Sequence, residues 1–173
     1  MLGYGAFQIG NDETKHCVQD APDSGCRLID TAQAYGNEES VGEGIEEFGV
    51  NRDDIFLVDR VWITNYGEGN VYDSIKESLK KLGTDYIDLV LLHQAYSDYH
   101  AAWRDMECAY KAGLVRSIGV FNFPPVRLAG ICAFSDVAPM VNQVETHVFW
   151  QQKLAHGKHG ASGCTAHILE SVC

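Results

Sequence analysis

Short apolar runs rich in β-branched residues alternate along this chain with amphipathic stretches, and that alternation leaves few folds open to it. Strand-like runs lie near residues 27–31, 55–58, 86–92, 115–120 and 140–145, with a weaker one at 2–7. The segment Tyr86-Ile87-Asp88-Leu89-Val90-Leu91-Leu92 is apolar over most of its length. Such a run suits a parallel strand covered on both faces better than a half-solvated antiparallel one.

The stretches between carry a helical period. Within 38–49, Val41, Ile45 and Phe48 fall on one face, and Gly49 supplies a stop. Within 70–83, Val71, Ile75, Leu79 and Leu82 form a stripe opposite Lys76, Glu77, Lys80 and Lys81, with Gly83 at the position after the helix. Residues 100–113 repeat the arrangement and end on Gly113. A first helix in 12–24 meets Pro22. An interior proline costs about 3 kcal/mol, so that helix ends just before it. Strand and helix repeating at roughly thirty residues per unit mean βαβ units and a parallel sheet. A doubly wound sheet and a (β/α)8 barrel both satisfy the pattern, and periodicity does not choose between them.

Composition narrows the function classes. With 173 residues, 46% of them hydrophobic and 21% charged, the chain supports one domain with a core. Asp and Glu number 24 against 13 Lys and Arg. That balance speaks against a nucleic-acid binder, which relies on clustered basic residues. It leaves room for a phosphate-bearing small ligand in a local pocket. No apolar run is long enough to span a membrane, and the N-terminus has neither a basic region nor an apolar signal core. The six cysteines show no CxxC and no framework spacing, so they read as reduced thiols of a cytoplasmic protein.

In a parallel α/β protein, groups at the C-terminal ends of strands converge on the ligand site. Asp30 ends the second run, Arg60 follows the third, His93 the fourth and Asn122 the fifth, while Gln143 lies on the sixth and Tyr35 in the loop after Asp30. A carboxylate, a cation, a phenol and an imidazole at one rim form an acid catalyst. The phenol donates a proton, the cation lowers its pKa, the carboxylate holds the cation and the imidazole orients a substrate oxygen. Amides such as Asn122 and Gln143 can offer paired donors and acceptors to a planar carboxamide.

The segment Arg27-Leu28-Ile29-Asp30-Thr31-Ala32-Gln33-Ala34-Tyr35-Gly36-Asn37-Glu38 resembles the aldo-keto reductase signature around its catalytic Asp and Tyr. Leu89-Val90-Leu91-Leu92-His93 is similar to the strand that delivers the catalytic His. Gly113 to Phe123 and Val141-Asn142-Gln143-Val144-Glu145 are similar to the fifth- and sixth-strand motifs. The resemblance runs from Leu2 to about Leu154. It implies a (β/α)8 TIM-type barrel that uses NADPH to reduce a small aldehyde or ketone. It further implies catalytic roles for Asp30, Tyr35, Arg60 and His93, and cofactor contacts from Gly5, Ala6, Asp30, Asn122 and Gln143. Phe7, Trp62, His93 and Trp103 would line the substrate pocket.

Three departures accompany it. Arg60, in Asp59-Arg60-Val61-Trp62, stands where the family has Lys, either as a working substitute or as a structural ion pair with Asp30 or Asp59. Phe121 stands where Ser usually precedes the Asn, a ring in place of a hydroxyl. Only about six strand–helix units are present, whereas a full barrel takes about 250 residues. The expectation is an incomplete barrel over 1–154 with an irregular tail over 155–173, and open edges through which it would self-associate or pair with another chain. The alternative function is therefore a catalytically impaired remnant acting through association. Asn122 and Gln143 could equally cap strand ends, and the large aromatics could be simple packing. His156, His159, Cys164 and His167 are spaced too loosely to assign a metal site.

Overall fold

The computed structural model describes residues 2–47 and 49–152. Phe48 and the tail, with its histidines and Cys164, lie outside the described residues. Six strands, β1 (Gly3–Gly5), β2 (Leu28–Asp30), β3 (Phe56–Val61), β4 (Leu89–Leu92), β5 (Ile118–Phe121) and β6 (Val141–Gln143), form one sheet. Five helices follow the first five strands: α1 (Asn11–Asp20), α2 (Glu38–Glu46), α3 (Asn70–Leu82), α4 (Tyr99–Lys111) and α5 (Pro125–Phe134).

Every strand pairs in parallel with its neighbour in sequence, in the order β1-β2-β3-β4-β5-β6. A doubly wound sheet reverses direction at a switch point. This one never reverses, so the winding is that of a barrel, left open between β1 and β6 among the described residues.

The helices form for the reasons their sequences give. In α3, Val71, Ile75, Leu79 and Leu82 are buried, and Gly83 closes the helix at φ 63°, a left-handed conformation that glycine adopts without a Cβ clash. In α4 the Asp98 carboxylate accepts from the Ala101 N–H at 3.1 Å, satisfying an otherwise orphaned donor. Helix α1 stops at Asp20, before Pro22. Helix α5 was not foreseen from its periodicity. Of its apolar residues only Leu128 and Ile131 are buried, while Val126 and Phe134 are exposed, so no clean stripe marks it.

Alternation along the strands divides the core in two. Ile29, Leu57, Val61, Val90, Leu92, Ile118 and Val120 face the helices within the larger cluster. Leu28, Val58, Leu89 and Leu91 form a second, inner cluster with Phe56, Phe121 and Val141 packed against it. Asp30 is two residues beyond Leu28, Arg60 two beyond Val58 and His93 two beyond Leu91. Period-two geometry therefore sets all three on the inner side, at the C-terminal ends of their strands.

Candidate active site

Register brings these ends level. Gly5 lies beside Asp30, Asp30 beside Val58, Arg60 beside Leu91 and Phe121 beside Gln143. Residues far apart in sequence thus meet at one mouth.

Arg60 is its centre, 4% exposed. One guanidinium nitrogen, Nη1, lies 2.5 Å from Asp30 Oδ1, and the other, Nη2, donates to Asp30 Oδ2 at 2.7 Å, a two-point ion pair. Nη1 also donates to the Thr31 carbonyl at 3.0 Å and to the Tyr35 hydroxyl oxygen at 3.3 Å. Nη2 reaches Gln143 Oε1 at 3.1 Å. The guanidinium carbon sits 4.7 Å from the centre of the Phe121 ring, a cation–π contact. Of the two ion-pair partners open to it from sequence, Arg60 takes Asp30; Asp59 faces the helices instead.

His93 is walled by rings. Trp62, Phe121 and Tyr35 stand edge-on to it at 4.9, 5.5 and 6.0 Å, and Phe7 lies 5.0 Å from Tyr35. Its Nδ1 is buried without a hydrogen-bond partner, as is Nε of Arg60. Burial first, and the Arg60 charge second, pull the His93 pKa down to about 4, so the ring is neutral near pH 7. For Tyr35 the sequence expectation of a lowered pKa is corrected. Burial outweighs the pull of Arg60, and Asp30 and Asp59 add to the rise, leaving the phenol firmly protonated. Burial likewise raises Asp30, against Arg60 and Gln143.

Several expected residues take other places. Trp103, expected to line the pocket, is 2% exposed on α4 and donates its indole N–H to the Val137 carbonyl at 3.0 Å, within the sheet–helix core. Ala6 is fully buried, and its carbonyl accepts from Asn37 Nδ2 at 2.9 Å. Phe7 and Trp62 do stand at the mouth, beside Tyr35 and His93. Asn122 is exposed, at φ 53°, and its Oδ1 accepts from the Glu145 N–H at 3.4 Å.

Two supports were not read from sequence. Asn37 takes the Thr31 hydroxyl at 2.8 Å and the Ala6 carbonyl at 2.9 Å, tying the ends of β1 and β2 to the turn that carries Tyr35. Gln33 accepts from the Trp62 N–H at 3.0 Å and donates to the Ser78 hydroxyl at 3.0 Å, tying the same turn to β3 and α3. Both sit in the Asp–Tyr motif, yet their partners lie elsewhere in the chain.

A nicotinamide cofactor requires space at the strand ends and partners for its carboxamide. Gly5 leaves its corner open, for a Cβ there would meet nothing within 4 Å, and the exposed Asn122 amide lies on the rim. These residues leave room and an exposed amide for such a ring.

Fold and site together define a class: a parallel α/β barrel portion whose strand ends gather a phenol, a neutral imidazole and a guanidinium–carboxylate pair. The Aldo/keto reductase family profile matches residues 1–158. The chain belongs to the aldo/keto reductase family. It is 41% identical over 165 residues to morphine 6-dehydrogenase of Pseudomonas putida, covering 94% of this chain and 56% of that one. It is 40% identical over 159 residues to methylglyoxal reductase DkgA of Escherichia coli (strain K12), covering 90% and 57%. An aldo/keto reductase from Brucella melitensis superposes with a TM-score of 0.92 at 39% identity, covering 96% of this chain and 66% of that one. A Bombyx mori aldo-keto reductase solved with NADP gives 0.87 at 34% identity, covering 96% and 60%. The chain spans little more than half the length of the curated relatives it matches.

Proposed function

We propose that this chain carries the acid–base half of a carbonyl-reducing site, acting with NADPH on a small aldehyde or ketone. The observation that carries the reading is Arg60, which holds the Asp30 carboxylate and reaches the Tyr35 hydroxyl at 3.3 Å. When bound, the cofactor supplies hydride to the carbonyl carbon. Tyr35, protonated at neutral pH, gives its phenolic proton to the carbonyl oxygen, and Arg60 stabilises the phenolate left behind. Asp30 fixes the guanidinium. Neutral His93 offers a ring nitrogen to orient the carbonyl, and Phe7 and Trp62 form the apolar wall. Asp30, Asn122 and Gln143, with the backbone of Gly5, are the groups that would hold the nicotinamide end. The names of two relatives, methylglyoxal reductase DkgA of Escherichia coli and glyoxal reductase of Bacillus subtilis, support a small carbonyl as the substrate class. Among the described residues the thiols of Cys17, Cys26 and Cys108 form no disulfide, which supports a cytoplasmic setting.

NADPH oxidation with methylglyoxal and a panel of small aldehydes tests the reading, with alcohol product quantified. Tyr35→Phe should lower kcat by roughly 10²–10⁴-fold, the usual worth of a positioned general acid, while leaving the unfolding transition in place. Turnover unaffected by that substitution would remove Tyr35 from the chemistry.

The open sheet favours a second reading, a catalytically impaired portion of barrel that works only in association with another chain. β1 and β6 each have one unpaired edge among the described residues. Folded chain that oxidises no NADPH alone, and gains turnover on mixing with a polypeptide carrying two further strand–helix units, would select it.

A further inference from the structure

Gln143 is one of the two amides expected from sequence to receive a planar carboxamide, yet both of its heteroatoms are already engaged inside the chain. Its Oε1 accepts from Arg60 Nη2 at 3.1 Å, and its Nε2 donates to Asp30 Oδ2 at 3.3 Å. The first contact depends on the forked shape of arginine. Nη1 serves Thr31, Tyr35 and one Asp30 oxygen, while Nη2 serves the other Asp30 oxygen and Gln143. A lysine ammonium is a compact donor on a single stem and cannot spread across the same span. Phe121 completes the arrangement. It is the register partner of Gln143 on the neighbouring strand, and its ring lies 4.7 Å from the guanidinium carbon.

We propose that Arg60, held under the Phe121 ring, is a latch that keeps Gln143 on Asp30, so that Arg60 and Phe121 set how tightly this mouth takes a nicotinamide carboxamide. A carboxamide entering from solvent has to displace Arg60 or Asp30 from Gln143 before it gains a partner there. The exchange of one hydrogen-bonded pair for another leaves little net gain. Arg60 is thus a positioning residue for Gln143 as well as a neighbour of Tyr35. The inference rests on the nicotinamide reading above for its ligand, and on the hydrogen-bond network alone for the latch.

Nuclear magnetic resonance of the full chain, ¹⁵N-labelled at glutamine side chains, reads the latch directly. The Gln143 amide protons should exchange slowly with water and show Overhauser contacts to the Arg60 guanidinium. Exchange as fast as that of an exposed glutamine in the unaltered chain would overturn the latch, whatever any variant does. Arg60→Lys should release the amide and tighten NADPH binding about tenfold, equivalent to about 1.4 kcal/mol, read by quenching of tryptophan fluorescence. In a Gln143→Ala background the same substitution should bring no tightening. Equal tightening in both backgrounds would show that the gain does not pass through Gln143 and would overturn the proposal. Phe121→Ser, which leaves the Arg60–Asp30 pair in place, should speed exchange of the Gln143 amide by a smaller factor; no change there would remove Phe121 from the latch. Release of the amide in Arg60→Lys with no NADPH binding by any variant supports the latch and overturns the nicotinamide reading instead.

Discussion

Arg60 and His93 share one mouth, and each alters what the other can do. Burial of the ring, and second the Arg60 charge, keep the imidazole neutral, with its pKa lowered to about 4. In the unfolded chain histidine titrates near 6.5. Between roughly pH 4 and 6.5 the unfolded state therefore binds more protons than the folded one, and His93 makes stability rise with pH across that window. Below it, the contribution is lost. His93→Gln removes the titration, so the urea midpoint of the unaltered chain relative to this variant should climb from pH 4 to 6.5 and then level off. A flat difference would mean that the ring titrates as it does in water. The identities of Asp30, Tyr35 and His93 were legible because each sits in a motif of contiguous residues. The fate of Gln143 was not, since its partners lie 83 and 113 residues away in sequence. The sign of the Tyr35 shift was hidden for a related reason: burial is a property of the packed mouth, and no local spacing reports it.

β3 joins this mouth to a second buried site on its opposite face. Asp59 precedes Arg60 and so points toward the helices, where it is 1% exposed beside Glu38 of α2 and Ser78 of α3. Lys81 pairs with the other oxygen of Glu38 at 2.9 Å, leaving Glu38 Oε1 and Asp59 Oδ1 without partners. Burial first, and the Glu38 charge second, raise the Asp59 carboxyl to about 7, against the Arg60 N–H, the Ser78 hydroxyl and the Arg60 charge. A raised carboxyl works in the opposite sense to His93. Its contribution is complete below the unfolded value near 4 and is lost as pH rises toward 7. Asp59→Asn should accordingly gain midpoint over the unaltered chain as pH climbs through that range, and an equal shift at every pH would reject the coupling. Spacing between strands is set by a different residue. A Cβ on Gly119 would come 2.5 Å from the Val141 carbonyl oxygen and 2.7 Å from a Leu91 methyl, so β5 and β6 approach only because that position is glycine. Gly119→Ala should cost about 1–3 kcal/mol in denaturant unfolding, the usual range for an overpacked core, and should disturb Gln143 at the end of β6. Sequence periodicity located the strands and three of the helices well, since their apolar stripes are continuous. Helix α5 and the orientation of Trp103 escaped it, because each depends on which neighbour the element packs against.

At the scale of the molecule, an uninterrupted winding of six strands leaves β1 and β6 each paired on one side only among the described residues. Their backbone N–H and C=O groups on the free side are a template for another strand. Side chains near these edges are apolar and exposed: Leu2 is 61% exposed beside β1, while Val148 and Phe149, just beyond β6, are 80% and 93% exposed. Exposed hydrophobic groups favour association, since contact removes apolar area from water at about 25 cal/mol per Å². The net charge of −11 opposes it through repulsion, and added salt screens that repulsion. The two effects predict a distinctive pattern in sedimentation velocity. The sedimentation coefficient should rise with protein concentration and rise further with salt, because burial is retained while repulsion fades. Val148→Lys with Phe149→Lys removes apolar area in the turn that follows β6 and should return the chain to a monomer at every salt concentration. Persistence of the larger species in that double variant would move the contact to the β1 edge, where Leu2→Lys makes the matching test. A chain that sediments as a monomer throughout would mean that its edges are satisfied without a second copy, and would leave the acid–base cluster at the mouth to be judged by turnover alone.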